Sequence, residues 1–287
     1  MITAKPHHFP INHLNLACEI WHAEAKGLPL LALHGWLDNA ASFQPLMQHL
    51  TQHPVWAIDF PGHGLSDHLP PGASYHFFDA LTVIDEVIAA LGWREYGILG
   101  HSMGAGLASI YAAVAPAGLK QLVVIDTLGP LVEAPDRTAI RLQQSFREAV
   151  QLKQKTSRLM PHIDMAAKLR QKGSDLCYEH ALLLVQRGTE QTPDGWRWRH
   201  DQRLFMPSFF RLTEEQSTDV LRAITVPSCL VYGEHGLFEH FPYYYSRFEN
   251  TIPDLFIRKV AGGHHCHMEL PETVAAHIQD FFATQGG

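Results

Sequence analysis

The chain has 287 residues, 46% of them hydrophobic and 18% charged, with a formal net charge of −7. That balance suits a soluble globular protein and excludes a disordered chain or a fibre, and a net negative charge excludes nucleic acid as the partner. No apolar run approaches the roughly 18 residues that span a bilayer, so no membrane partner is expected.

The N-terminal "MITAKPHHFPINHLNLACEI" lacks a basic segment followed by an apolar core, so no secretory signal is expected. Cys18, Cys177, Cys229 and Cys266 are scattered without CxxC spacing, which points to a reducing cytoplasm and no disulfide framework.

In chain order, "HLNLACEIWH" (His13 to His22) alternates as a half-buried strand, and "LPLLALHGW" follows as a buried one. "SFQPLMQHLTQ" reads as a short helix with Ser42 at its cap, and "PVWAIDFPGHG" as a strand running into a glycine-rich turn. "FFDALTVIDEVIAALGW" has helical spacing and ends at Gly92, a C-cap residue. "YGILG" and "LKQLVVID" are buried strands on either side of the next helix. Buried strands alternating with helices predict an α/β fold, with a mostly parallel central sheet covered on both faces.

From about Thr127 to Ala223 the pattern changes to helix-like segments such as "DRTAIRLQQSFREAVQLKQ" and "EHALLLVQRG". Lysines and arginines between Arg137 and Lys172 are interleaved with apolar residues, Glu148 and Asp164, the pattern of a solvated helical face. Alternation resumes with "VPSCLVYGEHG" and "DLFIRKVAGGHH" and ends in "PETVAAHIQDFFATQ". The expected organisation is a core of residues 1–126 and 224–287 with a helical cap, 127–223, inserted where the strands' C-terminal ends open.

Gly100-His101-Ser102-Met103-Gly104 fits G-x-S-x-G between an apolar strand and a helical segment. A sharp strand-to-helix turn lifts a serine hydroxyl above the sheet, and glycines are required where the backbones crowd. A serine nucleophile needs a base, and "AGGHHCHMELPETV" follows the last predicted strand. On spacing alone His264, His265 and His267 all qualify. The His-His-Cys-His run is too crowded for a tetrahedral metal site, so no metal is expected there. His34-Gly35-Trp36 follows an early strand, and the backbone N–H groups of Trp36 and Met103 are placed to form an oxyanion hole.

With "LHGW", "DFPGHGLSD", "GHSMG" and "GGHHCHMELPE" in this order, the chain resembles the α/β-hydrolase fold family over nearly its whole length. The family's G-H-x-x-x-x-E-x-P falls on Gly263, His264, Glu269 and Pro271, which selects His264 as the base. "HGWLDN" and "GWRWRHDQRL" resemble the serine-hydrolase-like branch related to mesoderm-specific-transcript proteins.

The resemblance places the acid in a G-x-x-D segment, but here Gly233-Glu234-His235-Gly236 has glycine at that position. Two replacements stand open: Asp126, at the end of "LVVID", and Glu234. Asp38 and Asp59 read as loop-fixing residues, and Cys266 as a thiol beside the base whose modification would block the site.

The expected function is hydrolysis of a small ester or related acyl bond without a cofactor. Ser102 would act as nucleophile, His264 as base and Asp126 as acid, with Leu37, His101, Phe205 and Phe209 lining an apolar pocket. The rival expectations are a carbon–carbon bond hydrolase or cofactor-free haloperoxidase on the same fold, and a ligand-binding protein that has lost its activity.

Overall fold

The apolar runs become the inner strands of one sheet in this computed structural model, which describes residues 2–11, 13–114, 117–152 and 159–285. The strands in chain order are β1 (Lys5–Ile11), β2 (Leu14–Trp21), β3 (Leu30–Leu33), β4 (Val55–Ile58) and β5 (Tyr96–His101), then β6 (Leu119–Ile125), β7 (Thr189–Thr192), β8 (Gly195–Trp198), β9 (Ser228–His235) and β10 (Phe256–Gly263). Among the described residues, eight of them form a sheet in the order β1-β2-β4-β3-β5-β6-β9-β10. Pairing is parallel from β4 through β10 and antiparallel at the β1–β2–β4 edge.

Continuous apolar strands are needed because both faces are covered. Leu31, Leu33, Ile98, Leu122 and Val124 face one layer, with Ile84 and Val87 of α1 (Ala80–Leu91) and Leu107 and Tyr111 of α2 (Met103–Ala113). Their neighbours Leu30, Ala32, Leu99, Val123 and Ile125 face the other layer, which contains Val274, Ile278 and Phe281.

Between β6 and β9 lie α3 (Thr138–Leu152), α4 (Ile163–Lys172), α5 (Tyr178–Gly188), the β7–β8 hairpin and α6 (Glu214–Arg222). α7 (Tyr243–Asn250) precedes β10, and α8 (Pro271–Gln285) ends the described chain. Among the described residues no helix is long and apolar enough to cross a membrane.

Several elements depart from the pattern reading. β1 pairs antiparallel with β2 at the sheet edge, where its mostly exposed, histidine- and proline-containing sequence hides strand periodicity. The β7–β8 hairpin interrupts the helical block; Pro193-Asp194-Gly195 supplies its turn, with Gly195 at φ 130°. Ser42 is not a cap: it lies inside a buried turn, Ala40–Phe43, whose cap is Asn39, with its side chain accepting the Ala41 N–H. The last two residues of the expected helix through Gln154 lie outside the described residues.

Candidate active site

Outside the 127–223 block, every residue of the expected site stands at a strand's C-terminal end or in the turn after it, except Met103, the first residue of the helix that follows Ser102. Gly35 and Trp36 follow β3, Ser102 follows β5, Asp126 follows β6 and His264 follows β10. Non-sequential strand order brings these distant segments side by side.

Ser102 has φ 53° and ψ −118°, in the left-handed half of backbone space that a β-carbon disfavours. The turn is tight enough that a Cβ on Gly104 would lie 2.1 Å from the Leu33 carbonyl oxygen, and one on Gly100 2.6 Å from Ala105 Cα. Both glycines are therefore steric requirements of the serine's position. The Ser102 N–H donates to the Ile125 carbonyl at 3.1 Å, tying the turn to the end of β6. Met103 opens α2, so its N–H has no acceptor within that helix.

His264 lies between Ser102 and Asp126. Its Nε2 is 2.9 Å from Ser102 Oγ, and its Nδ1 is 2.7 Å from Asp126 Oδ2. A carboxylate only accepts, so Nδ1 carries the proton and Nε2 is left to receive the serine O–H. Asp126 is fully buried, and its carboxylate also accepts the Gly233 N–H at 2.9 Å and the Leu237 N–H at 2.8 Å. These amides fix the carboxylate so that one oxygen faces the imidazole.

Glu234, the alternative acid, is elsewhere. Its half-exposed carboxylate pairs with Lys259 Nζ at 2.7 Å, a contact that also lowers its pKa. The physical reason is position: Glu234 and His235 are the exposed last two residues of β9, and Lys259 of the neighbouring β10 approaches Glu234 there.

The expected pocket residues divide. Trp36 is 49% exposed; its indole N–H donates to the Leu204 carbonyl at 3.1 Å, and its ring meets Phe205 edge-on at 5.5 Å. Leu37 lines a small recess with Asn39, Leu184, Val185 and Trp198. Phe209 does not join them, and lines a separate cleft with Glu133, Arg141, Phe210 and Gln216. His101 is not a lining residue either. It is completely buried, and its Nε2–H donates to the His264 carbonyl at 2.9 Å. Burial holds the His101 pKa well below the ordinary histidine value, which keeps the ring neutral. Cys266 is likewise buried in the second apolar layer, out of reach of modifying reagents, with burial pushing its thiol pKa well up.

A buried ionic network behind Ser102 has no counterpart in the sequence reading. Asp38 pairs with Arg170 of α4, and its Oδ2 lies 3.5 Å from His265 Nε2 and 3.7 Å from His101 Nδ1. His265 Nδ1 is 2.6 Å from Asp175 Oδ1. Burial alone would neutralise His265, but Asp38 and Asp175 outweigh it and raise its pKa to about 9. Burial also opposes ionisation of Asp38, yet Arg170 and His265 hold its carboxyl well below the usual range. Arg170 thus departs from the solvated face expected for the basic residues around it. A second anchor joins Arg187 of α5 to Asp59 at 2.9 Å and Glu19 at 2.8 Å, while Asp59 also accepts from Ala40 and Leu65 as a loop-fixing residue.

The model of the alpha/beta hydrolase fold matches residues 29–271 of this chain. A human protein named serine hydrolase-like protein 2 is 31% identical, with 94% of each chain covered. The crystal structure of a hypothetical protein from Pseudomonas aeruginosa PAO1 superposes with a TM-score of 0.89 at 33% identity, covering 98% of this chain and 100% of that one. A thioesterase domain from the curacin biosynthetic pathway gives a TM-score of 0.79 at 25% identity, covering 96% and 99%. Sequence likeness and strand topology agree from β3 to the first residue of α8, and the chain belongs to the α/β-hydrolase fold family.

Proposed function

We propose that this protein is a cytoplasmic serine hydrolase that cleaves a carboxylic ester or related acyl bond of a small, apolar substrate through an acyl-enzyme. The observation that carries the reading is the unbroken pair of hydrogen bonds Asp126–His264–Ser102.

Ser102 Oγ attacks the acyl carbon as its proton passes to His264 Nε2, and Asp126 stabilises the imidazolium and its orientation. The carbonyl oxygen, now negative, takes the backbone N–H groups of Trp36 and Met103, beside the positive end of α2. His264 then gives its proton to the leaving oxygen or sulfur. Water enters, loses a proton to His264 and releases the acid. These steps use only this chain's own groups and water.

In this reading residues 127–223 form a cap over a core of 1–126 and 224–287. The contacts of Leu204 with Trp36, Arg170 with Asp38 and Arg187 with Asp59 support it. Trp36 and Phe205 provide an apolar edge suited to the acyl or alcohol group. The Asp126 carboxylate beside His264 favours this reading over the non-catalytic one, which rested on the glycine at position 236.

Labelling with a fluorophosphonate probe tests the proposal. Wild type and Glu234→Gln should label, Ser102→Ala should not, and Asp126→Asn should label far more slowly. Unlabelled, correctly folded wild type would sink the reading; loss of labelling only in Glu234→Gln would overturn the acid assignment.

A further inference from the structure

Away from Ser102, one cluster combines a thiol, an imidazole and a carboxylate that neither the proposed reaction nor the buried network uses. Cys177 stands at the N-terminal boundary of α5 and His180 in its first turn, so the two share a helix face. Glu269 reaches them from the segment after His264. Its Oε1 accepts the Cys177 N–H at 2.9 Å and lies 2.7 Å from His180 Nδ1. The Cys177, His180 and Glu269 donor atoms all lie within 4.8 Å of one another.

We propose that Cys177, His180 and Glu269 form a zinc site that ties the 127–223 block to the core segment following His264. Zinc favours this donor set of thiolate, imidazole and carboxylate, whereas magnesium and calcium prefer all-oxygen sites. At ordinary zinc–ligand lengths a tetrahedral arrangement separates the donors by about 3.3–3.6 Å, so the adjustment needed is small. It includes parting His180 from Glu269, now 2.7 Å apart. All three residues are partly buried, and a water completes the fourth position.

The chemistry balances simply. The Cys177 S–H bond breaks, a zinc–sulfur bond forms and one proton leaves to solvent; the His180 proton moves to Nε2 so that Nδ1 can ligate. Because that proton must leave, the uptake is pH-dependent. The other cysteines cannot substitute: Cys18, Cys229 and Cys266 are buried within the core.

The test is titration of the chelator-treated full chain with Zn²⁺ and with Co²⁺ as spectroscopic probe. The wild type should take up one equivalent, release a proton and show a thiolate-to-cobalt charge-transfer band. Cys177→Ser should abolish that band and weaken zinc affinity by about 100-fold, and His180→Gln should weaken affinity by about tenfold or more. Melting without metal establishes that each variant is folded, and either variant alone decides the question if the other does not fold. No uptake by wild type, an unchanged band in Cys177→Ser, unchanged zinc affinity in His180→Gln, or equal binding of Mg²⁺ would overturn the proposal.

Discussion

The carboxylate of Asp126 occupies the space in which a side chain at Gly236 would begin. A Cβ built on Gly236 would lie 2.2 Å from Asp126 Oδ1 and 2.3 Å from Oδ2. The glycine at the position where the family resemblance leads one to expect an acid is therefore the condition for an acid to arrive from β6. Gly236→Ala should push the carboxylate off His264 and lower kcat/KM steeply, towards the loss of about 10⁴ expected for Asp126→Asn. The double variant Asp126→Gly, Gly236→Asp returns a carboxylate from the β9 side and should recover activity above Asp126→Asn. It also relieves the positive φ of 53° at position 126. Steady-state kinetics on a nitrophenyl ester checks both, and Gly236→Ala with wild-type kinetics would show that the carboxylate is not held as described.

Removing Arg170 leaves Asp38 buried with only the histidines to compensate it. Arg170→Met should therefore destabilise the fold by about 3 kcal/mol, measured by urea unfolding. Asp38→Asn added to Arg170→Met should restore part of that loss, because the uncompensated charge goes with it. Additive effects of the two substitutions would count against a coupled pair.

Acid should weaken the fold through buried neutral histidines. Burial lowers the pKa of His34 and His63, and brings His200 to about 4. The unfolded chain takes up protons near pH 6.5 whereas the folded chain resists them, so the unfolded state binds more protons below that value. Stability from these groups is complete above pH 6.5 and is lost as the pH falls towards 4. His265, held protonated by Asp38 and Asp175, contributes equally across that interval. The melting temperature should fall steadily from pH 7 to pH 5, and a flat profile would contradict the assignment of neutral buried rings.

Phe205→Ala should discriminate between substrates. Phe205 stacks edge-on to Trp36 and is 40% exposed, so its contribution to binding an apolar acyl group is partial, roughly 1 kcal/mol. That corresponds to about a fivefold rise in KM for a long-chain nitrophenyl ester with little change for the acetate. An equal rise for both esters would place Phe205 outside the acyl pocket.

Local pattern determined much of this protein. Apolar runs specified the buried parallel strands, Gly100 and Gly104 specified a turn that only glycine can close, and the motif around Gly263 singled out His264 among three histidines. The strands and the turn are properties of neighbouring residues, written in spacing and steric size, whereas His264 is singled out by likeness to the family's motif. Tertiary structure alone decided which carboxylate meets His264. Asp126 and Glu234 were both available in the sequence, but β6 lies beside β9 in the sheet, and Glu234, at the exposed end of β9, pairs with Lys259. It also decided that His101 faces inward to hold the His264 carbonyl and that Arg170, among basic residues expected on a solvated face, pairs with buried Asp38. The reason is that backbone conformation follows from residues a few positions apart. Contacts between charged groups depend on which distant strands and helices pack side by side, and on which charges burial leaves without water.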